Sequence, residues 1–157
     1  VLSICDAKAI RAARFTVVLD SVNGSGCLAG RMLLEELGCE IVHIFGEQTG
    51  VFGHTPEPLA EEFDGALRRE RTVPGAACGF AQDPDADRLA IVDERGRFIG
   101  EEYTLVLAAL RILQRTGGGA LAANLSTSRM IDDLAARFPN SRVVRTAVGE
   151  ANVVAPV

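Results

Sequence analysis

Short apolar runs alternate along this chain with segments whose apolar residues recur every three or four positions, and that alternation constrains the fold more than any other feature. Residues 15–19, 41–45, 76–82, 120–124 and 142–145 have the length and the continuous or period-two apolar character of strands. Between them, residues 27–37 carry Ala29, Leu33 and Leu37 on one helical stripe, with Gly38 as the stop. Residues 101–115, closed by Gly117, are apolar on nearly every side, which predicts a largely buried helix. A short helix over residues 6–13 opens on the capping residue Asp6, and a charged helix is expected over residues 59–69 after a Gly- and Pro-rich loop at 46–58. Ser126 or Thr127 is expected to cap a further helix bearing Ile131, Leu134, Ala135 and Phe138, with Asp132 and Asp133 in its first turn. Residues 89–92 and 97–99 flank Asp93, Glu94, Arg95 and Gly96, a turn that predicts a hairpin. Strands separated by helices give an α/β class: a three-layer α/β/α sandwich with a mixed, mostly parallel sheet and a β-hairpin at its edge.

The 157 residues suit one folded domain with its own core, and the 48% hydrophobic content excludes a disordered chain. Acids outnumber bases 21 to 16, which argues against nucleic acid as a partner. The longest uninterrupted apolar run, residues 105–110, is far short of the roughly 20 residues that cross a bilayer, so no membrane partner is expected. Cys5, Cys27, Cys39 and Cys78 form no CxxC pair; Cys39 and Cys78 lie in apolar, strand-like surroundings, so small core residues in a reducing, cytoplasmic setting are the expectation.

The most informative residues are Asp83, Pro84, Asp85, Ala86, Asp87 and Arg88, directly after an apolar strand. In an extended segment alternate side chains share a face, so the carboxylates of Asp83, Asp85 and Asp87 converge and repel unless a cation neutralises them. Oxygen-only ligands select a hard ion, Mg²⁺ first among them, and Arg88 is a planar fork suited to a phosphoryl oxygen. A solvated acidic turn with Arg88 as internal counter-ion is the plainer reading. The position favours the metal, because ligand sites in open α/β sheets gather at the carboxyl ends of strands.

Three other motifs compete. Acids at the first, third, fifth and twelfth places from Asp83, the last being Glu94, imitate a calcium loop, but Arg88 stands where that loop needs Gly. A haloacid-dehalogenase phosphatase would need a later lysine, and Lys8 is the only one. Gly24, Gly26 and Ala29 fit a GxGxxA dinucleotide pattern, with Glu47 after the next strand, but four residues separate Gly24 from the strand before it. A Rossmann-like nucleotide- or metal-binding module without catalysis is therefore the alternative reading.

The acidic loop resembles the magnesium loop of the α-D-phosphohexomutases, the family of phosphoglucomutases, phosphomannomutases and phosphoglucosamine mutases, commonly DGDGDR and in some members DPDADR as here. Residues 17–26, VVLDSVNGSG, look like the strand and glycine turn that open that family's second domain. Residues 52–58, FGHTPEP, are similar to its proline-rich loop, and residues 145–150, RTAVGE, to the handover into its third domain, with a lean toward the phosphoglucosamine branch. The phosphoserine, sugar-binding and phosphate-clamping motifs of the other domains are absent from these residues.

The resemblance implies a lead-in from the preceding domain at residues 1–14, the metal-binding second domain at 15–148, and the start of the next connection at 149–157. It implies Asp83, Asp85 and Asp87 as Mg²⁺ ligands and Arg88 as a phosphoryl contact. The whole enzyme would move a phosphoryl group between C1 and C6 of a hexose phosphate through a bisphosphorylated sugar, with three further domains as partners, one carrying a phosphoserine. Pro84 and Ala86 replace glycines of many relatives, so the loop is expected to avoid positive φ at both. His43 is expected to be a hydrogen-bonded core or edge residue, and His54 to lie at the surface or against a neighbouring domain.

Overall fold

A computed structural model describes residues 2–56 and 73–154, so the helix expected over 59–69 lies outside the described residues. The fold is α/β, with a mixed central sheet and flanking helices. The chain divides after Glu101 into two compact units.

The first unit contains α1 (Ala7–Ala13), β1 (Thr16–Asp20), α2 (Cys27–Glu36), β2 (Glu40–Ile44), β3 (Ala76–Gln82), β4 (Leu89–Val92) and β5 (Phe98–Gly100). Its sheet runs β2-β1-β3-β4-β5. β1 pairs in parallel with both neighbours, whereas β3–β4 and β4–β5 are antiparallel. The interior position of β1, paired on both sides, goes with its unbroken apolar run: Val17, Val18 and Leu19 are all buried, leaving no solvent face on which polar residues would alternate. Asp6 caps α1 as expected, its Oδ1 accepting from Ala9 N at 3.0 Å. The β4–β5 hairpin is present, and Asp93 shapes its turn by accepting from the backbone amides of Arg95 and Arg97, both at 2.9 Å. Of the four cysteines only Cys27 is fully buried; the others are half-buried, and all are free thiols.

The second unit contains α3 (Glu102–Thr116), β6 (Ala120–Asn124), α4 (Met130–Ala135), β7 (Arg142–Thr146) and α5 (Glu150–Val154). β6 and β7 pair in parallel. Ala109 and Leu113 of α3 join Ala123, Ile131 and Leu134 in one apolar cluster, edged by Val106, Leu110 and Phe138. α3 is less buried than its composition predicts. Leu105, Leu107 and Ile112 are exposed, because an all-round apolar helix does not choose a face and only the Val106–Ala109–Leu110–Leu113 stripe meets this cluster.

The start of α4 also differs from expectation. Ser126 and Thr127 turn back, and their amides and hydroxyls all donate to Asn124 Oδ1 at 2.8–3.0 Å. Ser128 Oγ instead accepts from Met130 N at 3.2 Å. The Asn124 side chain outcompetes the helix because it lies only two and three residues upstream, the reach of an Asx turn. No helix among the described residues is long and apolar enough to cross a membrane.

Candidate metal centre

Because β1, β2 and β3 are parallel, their carboxyl ends lie on one edge of the sheet. Residues 83–88 leave that edge from β3 and return as β4, with Gln82 and Leu89 as the closing pair. The acidic loop is thus the tip of an antiparallel hairpin, which the sequence reading, with its hairpin placed one strand later, did not foresee. The structure brings together Asp83, Asp85 and Asp87: one oxygen of each lies within 4.8 Å of the others. Asp83 is buried, while Asp85 and Asp87 are exposed.

The electrostatics divide the three acids. Burial alone would push the Asp83 carboxyl up, but hydrogen bonds from the Arg88 amide and guanidinium outweigh it and hold the group below the usual carboxylate range. Those bonds measure 3.0 Å from Arg88 N to Oδ1 and 2.9 Å from Nε to Oδ2. Asp87 is pushed up, first by the charge of Asp85, then by desolvation and by Asp83. Arg88 Nε also stands 3.9 Å from Asp87 Oδ1. Arg88 therefore acts inside the loop as a counter-ion, with a side chain 42% exposed.

The donor set fits a small hard cation. All three ligand groups are carboxylates on one short loop, and mutual repulsion already raises one of them, the pattern a divalent ion would relieve. The backbone corrects one expectation: Ala86 takes a positive φ of 60°, while Pro84 does not. Ala86 N donates to Asp83 O at 3.1 Å, and Ala86, the last residue of this turn, takes the left-handed conformation that a glycine would adopt more readily.

The glycine turn that suggested a dinucleotide site is filled from within. A Cβ on Gly24 would meet Pro84 O at 2.5 Å, and one on Gly26 would meet Ala86 Cβ at 2.7 Å. The space a pyrophosphate would need beside these glycines holds the acidic loop.

Three side chains near this edge, Asp20, Ser21 and His54, escaped the sequence reading or were placed differently by it. Asp20, 1% exposed, accepts from Val22 N at 2.9 Å and meets His54 Nε2 at 2.9 Å. His54 therefore reaches inward rather than lying at the surface. Ser21 Oγ donates to Gln82 Oε1 and lies against His43 Nε2, both at 2.9 Å, so His43 is the hydrogen-bonded edge-strand residue expected. An acid and a hydroxyl ending a buried strand were the available signal for Asp20 and Ser21. Nothing in the spacing of His54 points to Asp20.

Residues 1–96 match the model of the phosphoglucomutase/phosphomannomutase α/β/α domain II. The chain belongs to that family. A phosphoglucomutase/phosphomannomutase from Thermococcus kodakarensis is 41% identical over 92% of this chain and 32% of its own length. A "Probable phosphoglucosamine mutase" of Methanopyrus kandleri is 37% identical over 90% of this chain and 31% of its own. Among solved structures, a phosphoglucomutase/phosphomannomutase family protein from Burkholderia thailandensis superposes with a TM-score of 0.72 at 25% identity, covering 95% of this chain and 34% of that one. The chain thus spans about a third of the length of these relatives, and full-length members of the family are named as mutases.

Proposed function

We propose that this chain is the magnesium-binding domain of a phosphohexomutase, with Asp83, Asp85 and Asp87 holding Mg²⁺ and Arg88 contacting the phosphoryl group. The convergence of three carboxylates on a loop at the carboxyl edge of the sheet, in a chain of this family, carries the reading. Bound there, the ion would withdraw charge from phosphoryl oxygens and so favour transfer. Asp83 is fixed by Arg88 and supplies a preset anchor, whereas the exposed Asp85 and Asp87 can turn to complete the set. The guanidinium of Arg88, partly exposed, adds a permanent positive charge beside the same position.

In the full protein this site would work with three further domains, one supplying a phosphoserine, to move a phosphoryl group between C1 and C6 of a hexose phosphate through a bisphosphorylated intermediate. The isolated chain would then bind Mg²⁺ weakly and lack mutase activity, since the nucleophile, general base and sugar contacts lie elsewhere. Its free thiols suit the reducing cytoplasm. Calorimetry with Mg²⁺ on the chain and on Asp85→Asn tests the assignment: binding should fall in the variant, and equal heats from both would overturn it.

A further inference from the structure

We propose that the turn at residues 21–26 is the template that shapes the acidic loop, with Gly24 and Gly26 as positioning residues for the metal ligands; this rests on the metal reading above. The two residues that separate the acids, Pro84 and Ala86, each sit on one glycine. An ideal Cβ on Gly24 would lie 2.5 Å from Pro84 O and 2.9 Å from Pro84 Cα, both backbone atoms. One on Gly26 would lie 2.7 Å from Ala86 Cβ. Between the glycines, Ser25 donates to the same Pro84 carbonyl twice, from N at 2.8 Å and from Oγ at 3.1 Å. The spacers are thereby held against the turn, and Asp83, Asp85 and Asp87 take the intervening positions.

A template must be stiffer than what it shapes. Val22, fully buried and β-branched, has φ 46°, and Asn23 has φ 56°. Such a conformation persists only where its surroundings over-determine it. They do so here: Val22 N donates to Asp20 Oδ1 at 2.9 Å, Gly24 N to Ser21 O at 2.7 Å, and Asn23 N to Phe45 O at 2.6 Å. The Asn23 side chain reaches further, donating to Val51 O at 2.9 Å and accepting from Glu47 N at 3.1 Å. The turn is thus tied to the ends of β1 and β2, and the loop is set against it. Since Mg²⁺ demands near-ideal octahedral geometry, a small displacement of Pro84 or Ala86 would be felt at the ligand oxygens.

The test uses Gly24→Ala, Gly26→Ala, Ala86→Gly and the double variant Gly26→Ala/Ala86→Gly. For each, circular dichroism reports folding, Mg²⁺ calorimetry reports affinity, and metal-free NMR reports the amide shifts of residues 83–88. Gly24→Ala and Gly26→Ala should each lose at least about tenfold in Mg²⁺ affinity while staying folded, since disturbing the groups that orient metal ligands costs about 10–100-fold in affinity. Ala86→Gly removes the methyl that Gly26→Ala would strike; the other near atoms, Gln82 Oε1 at 2.6 Å and Cδ at 2.9 Å, both belong to the end of one flexible side chain. The double variant should therefore return to within about threefold of Ala86→Gly alone, a rescue that general destabilisation would not produce. Folded glycine variants with wild-type affinity and unmoved loop amides would overturn the proposal, as would failure of the rescue. Should Gly24→Ala not fold, the Gly26 pair decides. If wild type and Asp85→Asn take up Mg²⁺ equally, the metal reading falls, and the loop amide shifts still show whether the turn shapes the loop.

Discussion

Nε2 of His54 lies 2.9 Å from Oδ2 of Asp20, a carboxylate whose side chain is 1% exposed. The other ring nitrogen, Nδ1, lies 2.7 Å from the carbonyl of Thr55, so each nitrogen faces an acceptor. The arrangement is fully hydrogen-bonded when both nitrogens carry protons, and the contact is then an ion pair. It fastens the loop after β2 to the end of β1. Removing the ring strands a buried charge, a larger loss than the net worth of the bond itself.

His54→Ala should therefore destabilise the first unit by about 1–3 kcal/mol, read from the urea midpoint. Adding Asp20→Asn removes the charge that lacked its partner and should recover part of that loss. An unchanged midpoint in His54→Ala would mean that Asp20 is satisfied without it.

Ala86 supplies a second prediction. A left-handed conformation costs an L-residue about 1–2 kcal/mol, while glycine loses about 0.5–1 kcal/mol through chain entropy. At φ 60° the balance favours glycine, so Ala86→Gly should stabilise the chain by up to about 1 kcal/mol in urea unfolding. A loss of stability would show that the Ala86 methyl contributes packing worth more than the relief.

How much of this was legible beforehand depended on the range of the interaction involved. The strands, and the helices α1, α2 and α3, were readable to within a residue or so from periodicity and stop signals, because those are local properties of the chain; α4 is shorter than its apolar pattern at both ends, and α5 was not read as a helix. The convergence of Asp83, Asp85 and Asp87 was readable too, since alternate spacing on a short loop leaves few arrangements. The Asp20–His54 contact was not, because 34 residues separate the pair and only the folded sheet brings them together. The positive φ of Ala86 was missed for a different reason: residue identity argued against it, and the way the loop turns back into β4 overrode that local preference. The exposed face of α3 was missed because composition gives the apolarity of a helix but not how many neighbours it will find.

In the second unit, Arg145 holds together the segment between β6 and α4. Its Nη1 donates to the carbonyls of Asn124 and Thr127, both at 2.8 Å, and its Nη2 to Ser128 O at 3.2 Å and to the carboxylate of Asp132. A planar fork reaches these acceptors together, whereas an ammonium does not. Arg145→Lys should lower the stability of this unit by about 1–3 kcal/mol despite keeping the charge. The Arg145 hydrogen bond also holds Asp132 below the usual carboxylate range. A depressed folded-state value contributes stability above the ordinary carboxylate range, lost as pH falls through the folded value. Asp132→Asn should flatten that acid limb in urea midpoints measured against pH; an unaltered limb would place the acid sensitivity in other groups.

His43 titrates in the opposite chemical sense. Ser21 Oγ gives its proton to Gln82 Oε1, so in that arrangement it accepts from His43 Nε2–H, 2.9 Å away. Burial, aided by the charge of Arg31, lowers the tendency of the ring to take a second proton, against smaller opposing effects of Asp20 and Glu35. Its folded value therefore lies below the ordinary value of about 6.5 that the unfolded chain keeps. Between the two, the unfolded chain holds the extra proton. Stability should accordingly rise with pH through that window, level off above about 6.5, and be lost as the pH falls. Proton NMR of the ring Cε1–H should give a midpoint below the ordinary value, and His43→Gln should remove this limb from the urea midpoints. A midpoint at or above the ordinary value would mean that the ring is solvated or charged in the folded protein, and the Ser21–Gln82 chain would then have to be oriented the other way.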